Sequence, residues 1–242
     1  MLPPAYLSVI RQPSPRRCGR LGASVILGLA FLTGCGGPGT PEAVGPVADP
    51  EAAIRGLEVA TALEGPARID FRWFLTEEGV RVGGQGVARV EPPDRARLDL
   101  FLSNGEAVAA AILIGDELAL PVSLPGDILP PPALLWGTVG LVRLGTGVSV
   151  LDGQELADGG RLIRTRLASG EGVTYRVLDG RLREVAQLEG GSVVKRLAAS
   201  YDDGVSIPAE AVYRDLAAFR ELTLTRERVE YVDGFPSDIW HF

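Results

Sequence analysis

The feature that most constrains the fold is a period-two alternation of charged and apolar residues. It is clearest in 68–75 and again in 95–102, where Arg and Asp alternate with Ile, Phe, Trp, Leu and Ala. Successive side chains of a β-strand point to opposite faces of the sheet. Each segment is therefore predicted to be a strand with one wet face and one apolar face.

Turn motifs separate such segments at short intervals. Ser103-Asn104-Gly105 marks a hairpin before the apolar run 107–114, and Asp179-Gly180 marks another. Short strands with turns at this spacing predict an antiparallel meander rather than βαβ units. We expect further strands at 80–90, 117–121, 161–168, 172–178, 181–188, 192–201, 207–216 and 220–232.

Two segments break the strand pattern. Asp49-Pro50-Glu51 combines an N-cap residue, a proline at the first helical position and an acid in the first turn, which predicts an amphipathic helix over 50–63. Five prolines lie from Pro121 to Pro132 and exclude a central strand there, because proline has no N–H for the ladder. The apolar run 133–142 predicts a short mid-chain helix. The fold class is thus mainly β with few helices, in one domain over 50–242.

Residues 1–34 are typical of a secretory signal peptide. A basic stretch that includes Arg16 and Arg17 precedes the apolar run Leu21–Leu32, whose twelve residues are too few to span a membrane. Leu32-Thr33-Gly34-Cys35 follows and resembles the bacterial lipobox. This predicts cleavage after Gly34 and lipid modification of the Cys35 thiol. The alternatives are a signal peptide cut elsewhere, or an uncleaved anchor with an incidental cysteine.

Residues 35–49 are predicted to be the lipidated cysteine and a flexible Gly/Pro tether, with a reach on the order of 20 Å. Two or three acyl chains on Cys35 would attach the protein stably to a membrane. Gly36 rather than Asp follows Cys35. In well-studied Gram-negative bacteria this resembles the pattern for export to the outer membrane. We therefore expect a lipid-anchored protein of the cell envelope, in the outer membrane and facing the periplasm.

The charge of the remaining chain argues against nucleic acid as a partner. The predicted signal peptide holds Arg11, Arg16, Arg17 and Arg20 and no acid, so residues 35–242 have 20 basic residues against the 31 acidic ones. Such a surface repels nucleic acid unless a basic patch is segregated. The sequence has no run of Lys or Arg that would form one. Nucleic-acid binding is not expected.

Few groups are available for catalysis or metal binding. His241 is the only histidine and Cys35 is assigned to lipid, which excludes an ordinary zinc site and leaves little for a nucleophilic site. Gly83-Gly84-Gln85-Gly86 lacks a following helix for phosphate binding and is interpreted as a strand kink. Asp202-Asp203 and Glu77-Glu78 adjoin hairpin glycines, which favours solvated turns over an acid/base pair. A carboxylate-only glycosidase stays open, but we predict no enzyme, no metal and no cofactor.

Several stretches resemble the LolA/LolB-like proteins of lipoprotein sorting and their lipid-binding relatives. The stretch 86–100 looks like the family's Gly, strand, Pro-turn and Arg-rich strand. The stretches 133–140 and 148–153 resemble its mid-chain helix and the segment after it, and 207–208, 220–232 and 234–239 resemble its last strands and closing tail. The resemblance implies a curved antiparallel, unclosed β-barrel. An N-terminal helix and a mid-chain helix would cover its concave apolar face, which accommodates acyl chains.

The resemblance also implies which residues bind lipid. They are Ile69, Phe71, Trp73, Leu98, Leu100, Leu102 and Trp136. By period alone the strand residues are equally well explained as ordinary core, and Trp136 as simple packing. Leu124 to Leu129, between prolines, is a candidate for the exposed apolar loop by which the family's receptor is thought to act.

Three functional hypotheses follow from these patterns. The first is a carrier-receptor that binds the acyl chains of a lipid or lipoprotein and attaches to the membrane through lipidated Cys35. The second is a non-catalytic structural or assembly lipoprotein that has a filled core and binds another envelope protein. The third is an envelope enzyme, which would need a polar cleft with clustered carboxylates.

Overall fold

The structure is a computed structural model that describes residues 41–122 and 128–242. The described residues all belong to one compact unit, Thr40–Phe242. The predicted signal peptide (1–34), Cys35 and the first part of the tether lie outside the described residues. So does Leu124, within the gap 123–127.

Thirteen strands and two α-helices are present in the described residues. The strands are β1 (Ala43–Pro46), β2 (Ala67–Glu77), β3 (Val80–Glu91), β4 (Arg95–Leu102), β5 (Ala107–Ile114), β6 (Glu117–Ala119), β7 (Ser149–Leu156), β8 (Arg161–Arg166), β9 (Gly172–Leu178), β10 (Arg181–Glu189), β11 (Ser192–Ser200), β12 (Glu210–Asp215) and β13 (Arg220–Tyr231). The helices are α1 (Pro50–Thr61) and α2 (Pro132–Thr138), followed near the C-terminus by a 3-10 helix, Ser237–Trp240. The predicted meander strands are confirmed, most of them within two residues at each end.

All the strands pair antiparallel in a single sheet. The strand order is β1-β7-β8-β9-β10-β11-β12-β13-β2-β3-β4-β5-β6. Hairpins join most neighbours, and the pairing of β13 with β2 connects the two halves of the chain. Within the described residues β1 and β6 stand at opposite ends of this order and do not pair, so the sheet is not closed. The predicted fold class, mainly β with an unclosed antiparallel barrel, is confirmed.

The sheet is curved enough to bring distant strands to one cavity. Strands β9 and β5 are eight positions apart in the strand order, which would separate them by about 38 Å in a flat sheet. Nevertheless the β8–β9 turn and the β5–β6 turn border the same cavity. The apolar inner faces of the strands therefore surround a shared interior.

Helix α1 begins as its sequence predicts. The Asp49 side chain accepts a hydrogen bond from the Ala52 backbone N–H, 2.8 Å away, and Pro50 opens the first turn. Ile54 and Leu57 are buried on the inward face of the helix. The helix ends at Thr61, two residues before the predicted end.

Helix α2 lies against the inner face of β10, β11 and β12. Leu134, Leu135 and Trp136 on it are buried. The helix approaches the sheet closely at Gly137, where a Cβ atom would overlap Leu197 Cδ2 and lie 3.2 Å from Val185 Cγ2. Because Gly137 has no side chain, α2 can pack closely against the sheet.

The described parts of two segments that we expected to be exposed belong to the fold. Ala43–Pro46, inside the predicted tether, is strand β1 and pairs with the edge of β7, because an edge strand offers unpaired N–H and C=O groups. Ile128 and Leu129, in the predicted exposed loop Leu124 to Leu129, are each only 6% exposed. They are apolar residues next to α2 and pack into the core with it.

The outer face of β4 is less exposed to solvent than the alternation predicted. Asp99 is buried and accepts hydrogen bonds from Arg89 Nη1 at 2.6 Å and from Arg97 Nε at 3.0 Å. Arg97 Nη1 also donates to the backbone carbonyl of Ile239 at 2.7 Å. The 3-10 helix near the C-terminus contacts β4 and contains the buried Trp240. The C-terminal tail therefore covers charges that the period alone places in water.

Candidate functional site

An apolar cavity of about 400 Å³ lies beside helix α2 and is named the α2 cavity here. Its walls come from α2 and the segment after it, the β5–β6 and β8–β9 turns, and strands β9 and β10. The buried lining includes Trp136, Val173, Tyr175 and Gln187, and the exposed rim includes Asp116 and Thr146. A cavity of this size lies within the range of small-molecule sites, roughly 300–1,000 Å³.

Trp136 fixes α2 at one side of the α2 cavity. Its indole Nε1 donates a hydrogen bond to the Gly115 carbonyl in the β5–β6 turn, 2.8 Å away. The ring is 2% exposed. Trp136 therefore gives the cavity an apolar wall and satisfies its own polar group elsewhere, as buried indoles usually do.

The rim is held by a contact between two loops. The Thr146 backbone N–H donates to Asp116 Oδ2 at 2.8 Å, and the Thr146 hydroxyl lies 3.1 Å from the same oxygen. Gly145 makes room, because a Cβ there would come within 2.6 Å of that oxygen. The hydrogen bond from the Thr146 backbone favours the carboxylate and holds the pKa of Asp116 below its ordinary value.

Arg143 joins the cavity wall to helix α1. Its Nε donates to the Pro93 carbonyl at 3.0 Å, and its Nη1 donates to the carbonyls of Glu58 and Val142 at 3.1 and 2.8 Å. The Glu58 carboxylate accepts from the Leu144 backbone N–H at 2.8 Å. Burial lowers the pKa of Arg143, and the negative charge of Glu58 opposes that shift. The charges of Arg143 and Glu58 thus compensate each other beside the cavity.

Two polar side chains lie among the apolar residues of the cavity floor. Tyr175 is 1% exposed and Gln187 is 7% exposed. Neither the Tyr175 hydroxyl nor the Gln187 amide has a hydrogen-bond partner among the described residues. Desolvation, with a smaller contribution from the charge of Glu58, raises the pKa of Tyr175, so its hydroxyl stays protonated.

The architecture matches solved structures, whereas no family model and no curated relative matches the sequence. A LolA superfamily protein from Nitrosomonas europaea superposes with a TM-score of 0.55 at 10% identity, over 81% of this chain and 99% of its own. A domain from Vibrio parahaemolyticus, described as an outer membrane lipoprotein-sorting protein, superposes with a TM-score of 0.53 at 9% identity, over 79% of this chain and 97% of its own. This chain has a LolA/LolB-like fold.

The predicted lipid-binding residues occupy different places in this LolA/LolB-like fold. Trp136 alone among them lines the α2 cavity. Ile69, Phe71 and Leu98 line a second cavity of only about 20 Å³, which is room for about one water molecule. The structure therefore does not bring these four residues to one large lumen.

The other three predicted residues lie in or against the packed core. Trp73 and Leu100 are fully buried, and Leu102 is half-buried. None of the three lines the α2 cavity. Contact of these residues with lipid stays a prediction.

Val173, Tyr175 and Gln187 line the α2 cavity but were not among the predicted site residues. One signal was available in the sequence, since Val173, Tyr175 and Val177 alternate with polar residues along β9 and therefore share one face. Gln187 gave a second signal, as a polar residue among the apolar residues near the end of β10. Neither signal shows which segment of the chain covers that face.

One carboxylate of each pair considered for acid/base chemistry forms an ion pair with an arginine. Glu77 Oε1 accepts a hydrogen bond from Arg220 Nε at 3.0 Å, and Asp202 forms an ion pair with Arg226. The described residues contain no group of three or more His, Cys, Asp or Glu side chains that could hold a metal ion. Among those same residues, no helix is both long and apolar enough to cross a membrane.

Proposed function

We propose that this protein is a lipid-anchored, non-catalytic carrier of the cell envelope that holds an acyl chain of a lipid or lipoprotein in the α2 cavity. The observation that carries the proposal is the cavity itself, about 400 Å³ with mostly apolar walls, inside an unclosed LolA/LolB-like sheet. Moving apolar surface from water into such a site is favourable by about 25 cal/mol per Å². An alkyl chain is therefore a fitting occupant.

The descriptions of the similar structures support the same class of cargo. One is described as an outer membrane lipoprotein-sorting protein domain and the other as a LolA superfamily protein. We extend lipid or lipoprotein binding and an envelope location to this chain on that likeness. Of the seven predicted lipid-binding residues, we propose that Trp136 contacts the chain directly.

Attachment to the membrane through Cys35 is the second part of the proposal. Its support is the sequence Leu32-Thr33-Gly34-Cys35, directly after a basic and then an apolar segment. Metabolic labelling with a fatty-acid analogue tests it. We expect labelled, membrane-bound wild type and an unlabelled, folded Cys35→Ala variant; a variant labelled as strongly as wild type would contradict the assignment.

Ligand binding is tested by filling the α2 cavity. Ala133 is half-buried on α2 and lines the cavity, so Ala133→Phe places a ring where the chain would lie. Ala60→Phe is the matched control, because Ala60 is exposed on α1. With an uncharged fluorescent acyl ester as probe, we expect binding by wild type and Ala60→Phe and at least tenfold weaker binding by Ala133→Phe. A wild type that does not bind the probe would refute the carrier function.

A structural or assembly lipoprotein that binds another envelope protein is the second candidate. One observation favours it: the region around Ile69, Phe71 and Leu98 is almost filled, with about 20 Å³ of free space. The same titration separates the two functions. A filled scaffold would bind neither the probe nor lipid from the membrane, and native mass spectrometry of the purified protein would find no bound lipid.

A further inference from the structure

The floor of the α2 cavity contains hydrogen-bonding groups that the fold itself does not use. Tyr175 and Gln187 are more than nine-tenths buried, and both line the cavity. Their hydroxyl and amide groups have no partner among the described residues. The fully buried polar atoms without a partner among the described residues are Arg176 Nε, Arg183 Nε and Trp240 Nε1, so the Tyr175 hydroxyl and the Gln187 amide open onto the cavity instead. Two hydrogen-bonding groups that the fold leaves free in a mostly apolar cavity are available to a ligand.

The register of the sheet allows both groups to meet one ligand atom. Tyr175 on β9 pairs with Val185 on β10, and Gln187 follows Val185 by two residues on the same strand. Tyr175 and Gln187 are thus diagonal neighbours on one face, about 7–8 Å apart at the backbone, which is within reach of long side chains. A hydroxyl and a carboxamide N–H can donate to the same carbonyl oxygen.

The surrounding charges favour an uncharged group at this place. Two acidic side chains, Asp116 and Glu171, and one basic side chain, Arg143, line the cavity. This excess of negative charge opposes a ligand carboxylate. Arg143 borders the cavity, but its charge is compensated by Glu58, and its Nε and Nη1 donate to backbone carbonyls. Burying an unpaired carboxylate costs far more than burying an ester or amide. A neutral carbonyl meets the donors without this cost.

We propose that the ligand of the α2 cavity is a single acyl chain that carries an uncharged ester or amide carbonyl, and that Tyr175 and Gln187 donate hydrogen bonds to this carbonyl. This inference rests on the proposed carrier function and specifies its ligand. The volume, about 400 Å³, is at the small end of the range for ligand sites and fits one chain rather than several. Acyl esters and amides, as in lipids and acylated cysteines, are the matching chemical class.

The test compares three compounds with the same alkyl length, namely methyl laurate, laurate and dodecane, as competitors of an uncharged fluorescent probe. We expect wild type to bind methyl laurate more tightly than laurate or dodecane. Tyr175→Phe and Gln187→Leu should each weaken methyl laurate by about tenfold, the effect of one neutral hydrogen bond, and leave dodecane unchanged. Tyr213→Phe is the control, because Tyr213 is a buried tyrosine that does not line the α2 cavity.

Thermal melting separates ligand recognition from a structural role. Because the Tyr175 hydroxyl has no partner in the described fold, Tyr175→Phe should melt at the same temperature as the ligand-free wild type or higher. Equal preference for the ester in wild type and Tyr175→Phe would overturn the inference and leave the carrier function intact. Tighter binding of laurate than of its ester would overturn it in the same way. A wild type that binds none of the three compounds would instead overturn the carrier function itself.

Discussion

The indole Nε1 of Trp73 on β2 donates a hydrogen bond to the backbone carbonyl of Phe101 on β4, 3.1 Å away, although β3 lies between these two strands. It also lies 3.0 Å from the carbonyl of Gln85 on β3. Gly84 is the cross-strand neighbour of Trp73, and a Cβ there would overlap the Phe101 carbonyl oxygen. The glycines of β3 therefore allow aromatic side chains to pack directly against this strand.

We predict that Gly84→Ala destabilises the protein strongly. The added methyl group would separate β3 from β4 and displace the Trp73 indole, at a cost of about 3 kcal/mol. Gly56→Ala is the matched control, since nothing lies within 4 Å of its Cβ position in α1; we expect it to stabilise by about 0.5–1 kcal/mol through helix propensity. Urea denaturation measures both, and equal effects of the two substitutions would contradict this account.

We predict that Gly137→Ala weakens both folding and ligand binding. Its Cβ would overlap Leu197 Cδ2 and push α2, a wall of the α2 cavity, away from β11. The expected loss of stability is about 1–3 kcal/mol. In a Leu197→Val background the cost of Gly137→Ala should be smaller, because valine lacks the Cδ2 methyl group that obstructs the new Cβ atom. A double-mutant cycle by chemical denaturation measures this coupling, and strict additivity would show that the contact is unimportant.

Asp99 is expected to matter more than a less buried aspartate of the same sheet. Asp99→Asn removes the buried charge between Arg89 and Arg97 and should cost about 3 kcal/mol, since two arginines lose their counter-ion. Asp70→Asn weakens only the partly exposed ion pairs with Arg68 and Arg228 and should cost less than about 1 kcal/mol.

The same substitution should loosen the C-terminal tail, because Arg97 also donates to the Ile239 carbonyl. Tryptophan fluorescence reports this through Trp240, which is buried. We expect acrylamide to quench the Asp99→Asn variant more strongly than wild type and Asp70→Asn. Unchanged quenching would mean that the tail is held without Arg97.

The rim contact between Asp116 and Thr146 should depend on acid pH. The Thr146 backbone N–H stabilises the carboxylate, so the pKa of Asp116 in the folded protein lies below its ordinary value of 3.8. A lowered pKa means that the contribution is complete above about pH 4 and is lost as the pH falls through the folded-state pKa. We expect an NMR titration to give Asp116 a pKa below 3.8. We also expect the Thr146 amide hydrogen to exchange faster in Asp116→Asn than in wild type. Titration at or above 3.8 would contradict the geometry.

Local patterns were sufficient to predict both α-helices and all the described strands except β1 and β7. The alternation in 95–102 predicted β4 to the residue, and Asp49-Pro50-Glu51 predicted the start of α1. Strand period, turn motifs and helix caps depend on neighbouring residues, whose spacing is visible in the chain. Strand β1 was missed because its pairing with β7 joins segments about a hundred residues apart.

The candidate site could be predicted only in part. The sequence predicted lipid contact for Trp136 and for Ile69, Phe71 and Leu98, and this stays a prediction. In the structure Trp136 lines the α2 cavity, whereas the other three line a space of only about 20 Å³. Period two indicates that a face is apolar and does not indicate what covers it. The seating of α2 on β10 and β11, through Gly137, determines which part of the interior is filled and which part is left as a cavity.

By itself, then, the sequence determined the strand-rich class, the antiparallel order of neighbours, the two helices and the lipobox-like segment ending at Cys35. Only the tertiary structure decided that Asp99 is buried under the C-terminal tail, and that Tyr175 and Gln187 lie in one cavity with Trp136. The physical reason is the distance along the chain over which each kind of interaction acts. Backbone geometry and turn chemistry act between neighbours, whereas burial and cavities arise where segments distant in the chain pack together.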